Sequence, residues 1–283
     1  MRFSDHLSRP PEWPGRPEPR HVLAMSVTVV VLVVAPLVLA GFFATRGQPV
    51  VARYCLAVAL VGLLATWLGY ETRIRRFHDA DAVTSSRLDD GSRQLEIPYS
   101  RNIYLGYAAL MGTIALVFLV ATVDAAWSGD GERARGAYLW APLALVFGSL
   151  PVLMATGRFA RGHLRLSPDG VHQRGWTFES FLPWSGIVGA WPRYADGPVV
   201  VLVGDPDTPW QRRSFTRLWR QDRLPDVKDR GRTVPTIVIP GKFLAVDPVL
   251  VYHLLGYYLE RPAARVELGT EAAVRRARAA AFE

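Results

Sequence analysis

Cysteine is almost missing from this chain: Cys55 is the only one among 283 residues. One thiol permits neither an intrachain disulfide nor a cysteine zinc cluster, and it leaves the redox compartment open. Lysine is nearly absent as well, with Lys228 and Lys242 the only two among 33 basic side chains. Such an arginine bias is that of a GC-rich bacterial genome and carries little functional weight. The signatures of several enzyme classes are lacking too. His78, His163, His172 and His253 show no H-E-x-x-H spacing, and no acidic cluster accompanies them. No G-x-x-x-x-G-K-S/T run and no strand-placed G-x-G-x-x-G supplies a phosphate cradle. Ser185, in PWSGIVG, lacks the glycine two positions earlier that a nucleophile elbow requires. The expectation is a non-enzymatic protein with no catalytic residue, no cofactor, no metal and no nucleic-acid partner.

What the chain has is hydrophobic length. Half of its residues are hydrophobic, more than a single globular domain needs. A bilayer core about 30 Å thick takes roughly 20 helical residues to cross. Four runs reach that length, from about Val22 to Ala44, Val50 to Tyr70, Ile103 to Trp127 and Ala137 to Gly157. None carries an ionised residue near its middle, which argues against an ion-coupled carrier; Arg53, Glu71 and Asp124 sit near the ends, where an interfacial role is expected. Trp67, Tyr70, Tyr104, Tyr107, Trp127, Tyr138 and Trp140 also fall near the ends, as interfacial aromatics do. Pro36 and Pro142 lie inside spans, where neighbouring helices tolerate kinks. Glycines at 62, 69, 106 and 112 are candidates for close helix approach, against the plainer reading that they are merely tolerated.

The first run is long and has no clear A-x-A site behind a short apolar core, so it reads as an anchor and not as a cleaved signal. The proline-rich stretch before it, RPPEWPGRPEP, reads as a flexible tail over residues 1–20. Orientation follows from arginine. Arg2, Arg9, Arg16 and Arg20 precede the first run, and Arg73, Arg75, Arg76, Arg87, Arg93 and Arg101 fall in the 71–101 loop. The other two loops carry only Arg46, Arg53, Arg133 and Arg135. The excess marks the cytoplasmic side, and places both termini there in a multi-pass protein of the cell membrane.

Beyond Gly157 the pattern changes to short alternating strands. LRL, the turn SPDG and VHQRGW make a hairpin. FLPWSGIVGAW, VVVLVG (Val199 to Gly204) and TIVIP (Thr236 to Pro240) follow as strand-like stretches. In DPVLVYHLLGYYLERP, Asp247 is placed as an N-cap and Pro248 at the first helical position, with a helical period running until Pro262. Strands closed by one helix predict a partly open barrel or sandwich. This order resembles the bacterial pleckstrin-homology-like (PH-like) domains found in membrane proteins. Ser167, Pro168, Asp169, Gly170, Pro183, Trp184 and Ile187 match that family's opening, and Asp247 to Glu260 its closing helix. The resemblance covers roughly residues 160–265 and implies a binding scaffold at the cytoplasmic membrane face, with no catalytic set. The stretch PWQRRSFTRLWRQDRLPDVKDRGR departs from it, being longer and more charged than a hairpin connection.

That departing stretch holds the candidate site. Trp210, Arg212, Arg213, Arg217, Trp219 and Arg220 combine cations with aromatics, which suits contact with an anionic headgroup layer. The competing reading is a solvated loop whose aromatics pack on the domain. From Arg158 onward there are 19 basic and 13 acidic residues, which accounts for most of the net charge of +8. Within the 71–101 loop, QLEIPYS alternates and is a candidate extra strand. RVELGTEAAVRRARAAAFE, in the tail 266–283, reads as a short surface helix or a fraying end.

The fold class expected is therefore a four-span α-helical transmembrane bundle (21–157) plus a C-terminal mixed β domain (158–265), a PH-like barrel or sandwich capped by one helix. Its expected role is a membrane-tethered binding or scaffold module that contacts membrane lipid, with a protein partner or homo-oligomer also open. The alternative is a regulatory or structural component of a transporter or channel.

Overall fold

The computed structural model describes residues 7–14, 19–74, 80–87, 93–128, 131–216, 228–229 and 232–282. The chain divides into two compact units. One is helical, within Pro17–Arg75 and Asn102–Phe159; the other gathers sheet and helix from within Met1–Arg16, Arg76–Arg101 and Ala160–Glu283.

Four helices are long and apolar enough to cross a membrane: α1 (Pro19–Thr45), α2 (Pro49–Arg73), α3 (Arg101–Trp127) and α4 (Gly131–Ala155). Proline has no N–H to give, so Pro36 cannot donate to the Leu32 carbonyl one turn earlier. Around this point α1 widens into a π-turn over Val30–Val34, and the Ala35 N–H reaches back to the Val30 carbonyl. The Leu32 carbonyl instead faces Gly62 of α2, where a Cβ would lie 2.3 Å from that oxygen. Only glycine fits there. A Cβ at Gly106 would likewise lie 2.5 Å from the Trp67 ring, whereas Gly69 has open space and Gly112 only ordinary contact. Two of the four candidate glycines thus sit at close approaches. Asp124, in the last turn of α3, accepts from Arg53 and from the Tyr54 hydroxyl of α2, so the charged pair ties two helix ends together.

The second unit contains β1 (Thr84–Arg87), β2 (Arg93–Pro98), β3 (His163–Leu166), β4 (Gly170–Arg174), β5 (Phe178–Pro183), β6 (Ile187–Tyr194), β7 (Pro198–Gly204), β8 (Gln211–Ser214), β9 (Lys228–Asp229), β10 (Arg232–Thr233) and β11 (Thr236–Pro240). All pairings are antiparallel. One sheet has the order β1-β2-β3-β4-β5-β8, a second β11-β7-β6, and β9 pairs with β10. Among the described residues neither sheet closes into a barrel.

The expected hairpin forms because HLRL alternates: Leu164 and Leu166 are wholly buried while His163 and Arg165 take the other face. At its turn the Ser167 N–H and the Gly170 carbonyl bond at 3.0 Å. A Cβ on Gly170 would lie 2.5 Å from the Leu182 carbonyl, so glycine is needed for β5 to approach. The continuous apolar run of β7, the central strand of three, is buried on both faces, with Val199, Val201 and Val203 gathered against Val234 on one of them. Helix α5 (Pro248–Glu260) starts as expected, with the Asp247 carboxylate accepting the Val249 N–H at 2.9 Å. It packs on β6 and β7 and buries Leu250, Val251, Leu254, Leu255 and Tyr258.

The unit reaches beyond the expected 158–265 segment in three places. QLEIP becomes β2, which pairs Leu95 with Leu166 and Ile97 with Leu164 and covers what would otherwise be an open β3 edge. The C-terminal stretch forms α6 (Glu271–Ala279), so two helices and not one accompany the sheets. Its small residues Ala273, Val274 and Ala277 are buried, and Arg278 donates to the carbonyls of Asp81 and Val83. Of the expected flexible tail, Pro10 and Trp13 are buried.

Candidate functional site

Of the six residues singled out in the sequence, Trp210, Arg212 and Arg213 lie on or beside β8, while Arg217, Trp219 and Arg220 fall outside the described residues. Among the described residues β8 is an edge strand of the six-stranded sheet, paired with β5 in register Ser180 to Arg212 and Glu179 to Arg213. Successive strand residues face opposite ways. Arg212 therefore shares a face with Trp210, two residues back, and Arg213 shares the other with Phe215, two residues on. The Arg212 guanidinium lies 5.7 Å from the Trp210 ring centroid, and that of Arg213 lies 5.2 Å from Phe215. Phe215 is 49% exposed. A sheet edge thus presents a cation on an aromatic face on both of its sides. Each such pairing contributes roughly 0.5–1 kcal/mol at an exposed site.

A second polar grouping occupies the outer face of β2 to β5. Glu96 pairs with Arg165 at 2.8 Å and Arg174 with Glu179 at 2.8 Å. Between them, His163 and His172 stand with ring centroids 6.1 Å apart. The sequence places these histidines at the two ends of a hairpin; only the register brings the rings together. Among the described residues His163 Nε2 and His172 Nδ1 are buried and have no hydrogen-bond partner. Burial, and then the charge of Arg165, bring His163 down from its ordinary 6.5 to about 4, against the pull of Glu96. Burial also lowers His172, with Glu179 opposing. Among the described residues no three His, Cys, Asp or Glu side chains gather as metal ligands do.

Both depressed histidines bind protons more readily in the unfolded chain than in the folded one. Their contribution to stability is whole above pH 6.5 and is lost as pH falls toward 4. The urea midpoint of the sheet unit in the detergent-solubilised chain is expected to drop between pH 7.5 and 5. The double variant His163→Gln/His172→Gln should flatten that slope, and an unchanged slope would show the titrating groups to be elsewhere. In comparisons with known proteins, no family model, curated protein or solved structure matches this chain.

Proposed function

We propose that the protein is a membrane-anchored binding module with no catalytic role, whose sheet unit is a PH-like domain on the cytoplasmic side with both termini. In this reading the β8 edge contacts anionic lipid headgroups. The observation that carries it is the pair of arginine-on-aromatic contacts, Arg212 on Trp210 and Arg213 on Phe215, at an edge strand with Phe215 half exposed. A ring can enter the headgroup boundary while its guanidinium meets phosphate, and each basic group near an anionic surface adds about 1 kcal/mol. The PH-like assignment rests on the motif order from SPDG through PW to the closing helix, and on two antiparallel sheets with α5 packed on β6 and β7. The four apolar helices serve as anchor.

The test needs the full chain, because a fragment starting at Arg158 would lack β1 and β2. Hydrogen exchange at residues 211–215 is measured in nanodiscs of phosphatidylcholine with graded phosphatidylglycerol. In an antiparallel edge strand alternate amides point away from the paired neighbour, so exchange across this stretch reports contact on that side, with the Phe215 amide, which donates to the Thr177 carbonyl at 2.8 Å, as an internal reference. Exchange is expected to slow as anionic lipid rises and to recover near 1 M salt, where charges are screened within about 3 Å. Arg212→Ala/Arg213→Ala should remove roughly 2 kcal/mol of surface affinity. Exchange that ignores lipid charge would sink the lipid reading.

A further inference from the structure

The N-terminal segment forms a small turn and docks it. The Trp13 N–H donates to the Pro10 carbonyl at 3.1 Å, with Pro11 at the second turn position, and the Arg9 guanidinium donates to the Pro14 carbonyl at 3.1 Å. This turn puts Pro10 and Trp13 on one side, both buried, and leaves Arg9, Pro11, Glu12 and Pro14 exposed. Trp13 is only 3% exposed. Its indole N–H donates to the Arg193 carbonyl of β6 at 2.8 Å, and its ring meets Tyr252 of α5 edge to face at 5.9 Å. One residue on, His253 Nε2 lies 2.7 Å from the Ser8 carbonyl.

Everything this groove reads is the chemistry of a short peptide. There is an acceptor for an indole N–H, an aromatic wall for the ring, a place for a proline three residues earlier, and a partner for a main-chain carbonyl. None of it depends on the segment's being joined to α1.

We infer that the groove between β6 and α5 is a recognition site for a Pro-x-x-Trp turn, filled in cis by residues 8–14, and that a partner protein bearing the same turn enters it when this arm leaves. The arm is then an intramolecular competitor, and a partner's apparent affinity falls by the fraction of time the groove is vacant. The inference stands apart from the lipid reading, since it uses neither β8 nor charge.

The probe is a fluorescent synthetic peptide of residues 7–14, LSRPPEWP, titrated against the full chain in detergent. It is expected to bind the Trp13→Ala protein roughly tenfold tighter than the wild type, because the arm no longer competes. Adding Tyr252→Ala should abolish the gain, and a peptide with alanine for the tryptophan should not bind. Equal binding to wild type and Trp13→Ala would overturn the inference. So would no binding to the vacant groove up to about millimolar peptide, the effective concentration a short tether supplies. If Trp13→Ala proves unfolded, the wild type decides: excess peptide must speed exchange of the Trp13 amide by displacing the arm, and an unchanged rate refutes the site.

Discussion

Trp184→Ala is expected to destabilise the sheet unit by about 3–5 kcal/mol, the range for a buried tryptophan cut to a methyl group. The side chain is 3% exposed and joins three parts of the unit. Its indole N–H donates to the Ser167 carbonyl at 2.7 Å, and its backbone N–H donates to Asp169, so it pins the β3–β4 turn from below. Its ring stands 6.3 Å from Tyr258 of α5 and carries the Arg265 guanidinium at 5.1 Å. Arg265 in turn donates to the Tyr258 carbonyl at 2.8 Å, beside the Tyr258 hydroxyl's bond to Glu267. Truncation opens a cavity and strands the Ser167 carbonyl at once. Trp184→Phe keeps a six-membered ring but loses the pyrrole part together with its donor, for about 1–3 kcal/mol. In a urea titration of the detergent-solubilised chain the alanine variant should move the midpoint of the sheet unit down by about 1–3 M. A shift no larger than that of the phenylalanine variant would mean that the cavity collapses and that the tryptophan is not the clamp described.

How far such features can be read from sequence depends on the range of the interaction. The β3–β4 hairpin is legible because alternation and turn chemistry are local, and the start of α5 because Asp247 and Pro248 state it within two residues. QLEIP shows its alternation equally well. What it cannot show is which edge it joins: alternation names the buried face, whereas the partner, Leu166 against Leu95, lies beyond two intervening spans. Helix α6 is one of the two readings of its stretch, but its docking hides for another reason, since its buried face is made of Ala273, Val274 and Ala277, too small to stand out from a charged, alanine-rich stretch. Trp13 was obscured by its prolines, which read as disorder by composition although here they shape the turn that aims the ring. For the candidate site, the residue types in 210–213 are plain in the sequence, but the pairing of each arginine with the aromatic two residues away follows only once β8 is known to be a strand. The meeting of His163 and His172 is likewise a property of register and not of spacing.

Gln173 is where the two sheets are expected to come apart most readily under a change of one atom. It is wholly buried on β4, and its Nε2 donates to the Tyr99 hydroxyl at 2.8 Å and to the Val238 carbonyl of β11 at 2.7 Å. One amide group therefore ties the six-stranded sheet to the three-stranded one. Its Oε1 is buried without a partner among the described residues, so the residue carries a desolvation penalty in return for the two bonds its nitrogen makes. Gln173→Ala removes both bonds and leaves a cavity, for about 2–4 kcal/mol. Gln173→Leu refills the space and should recover part of this. Gln173→Glu is the sharper test, because it exchanges the donating nitrogen for an oxygen in the same volume. Burial beside the Val238 carbonyl, which can only accept, raises the folded pKa of that carboxyl above its ordinary value of about 4.3. Its stability is then fully present below the unfolded pKa and is lost as pH rises through the folded one. The midpoint of Gln173→Glu, taken relative to wild type, should accordingly climb as the pH falls from 7.5 toward 4, opposite in sign to the slope from the two histidines. A pH-independent difference would place the Gln173 side chain in contact with water, and the link between the sheets would then have to lie in the apolar packing around Tyr99 and Phe243.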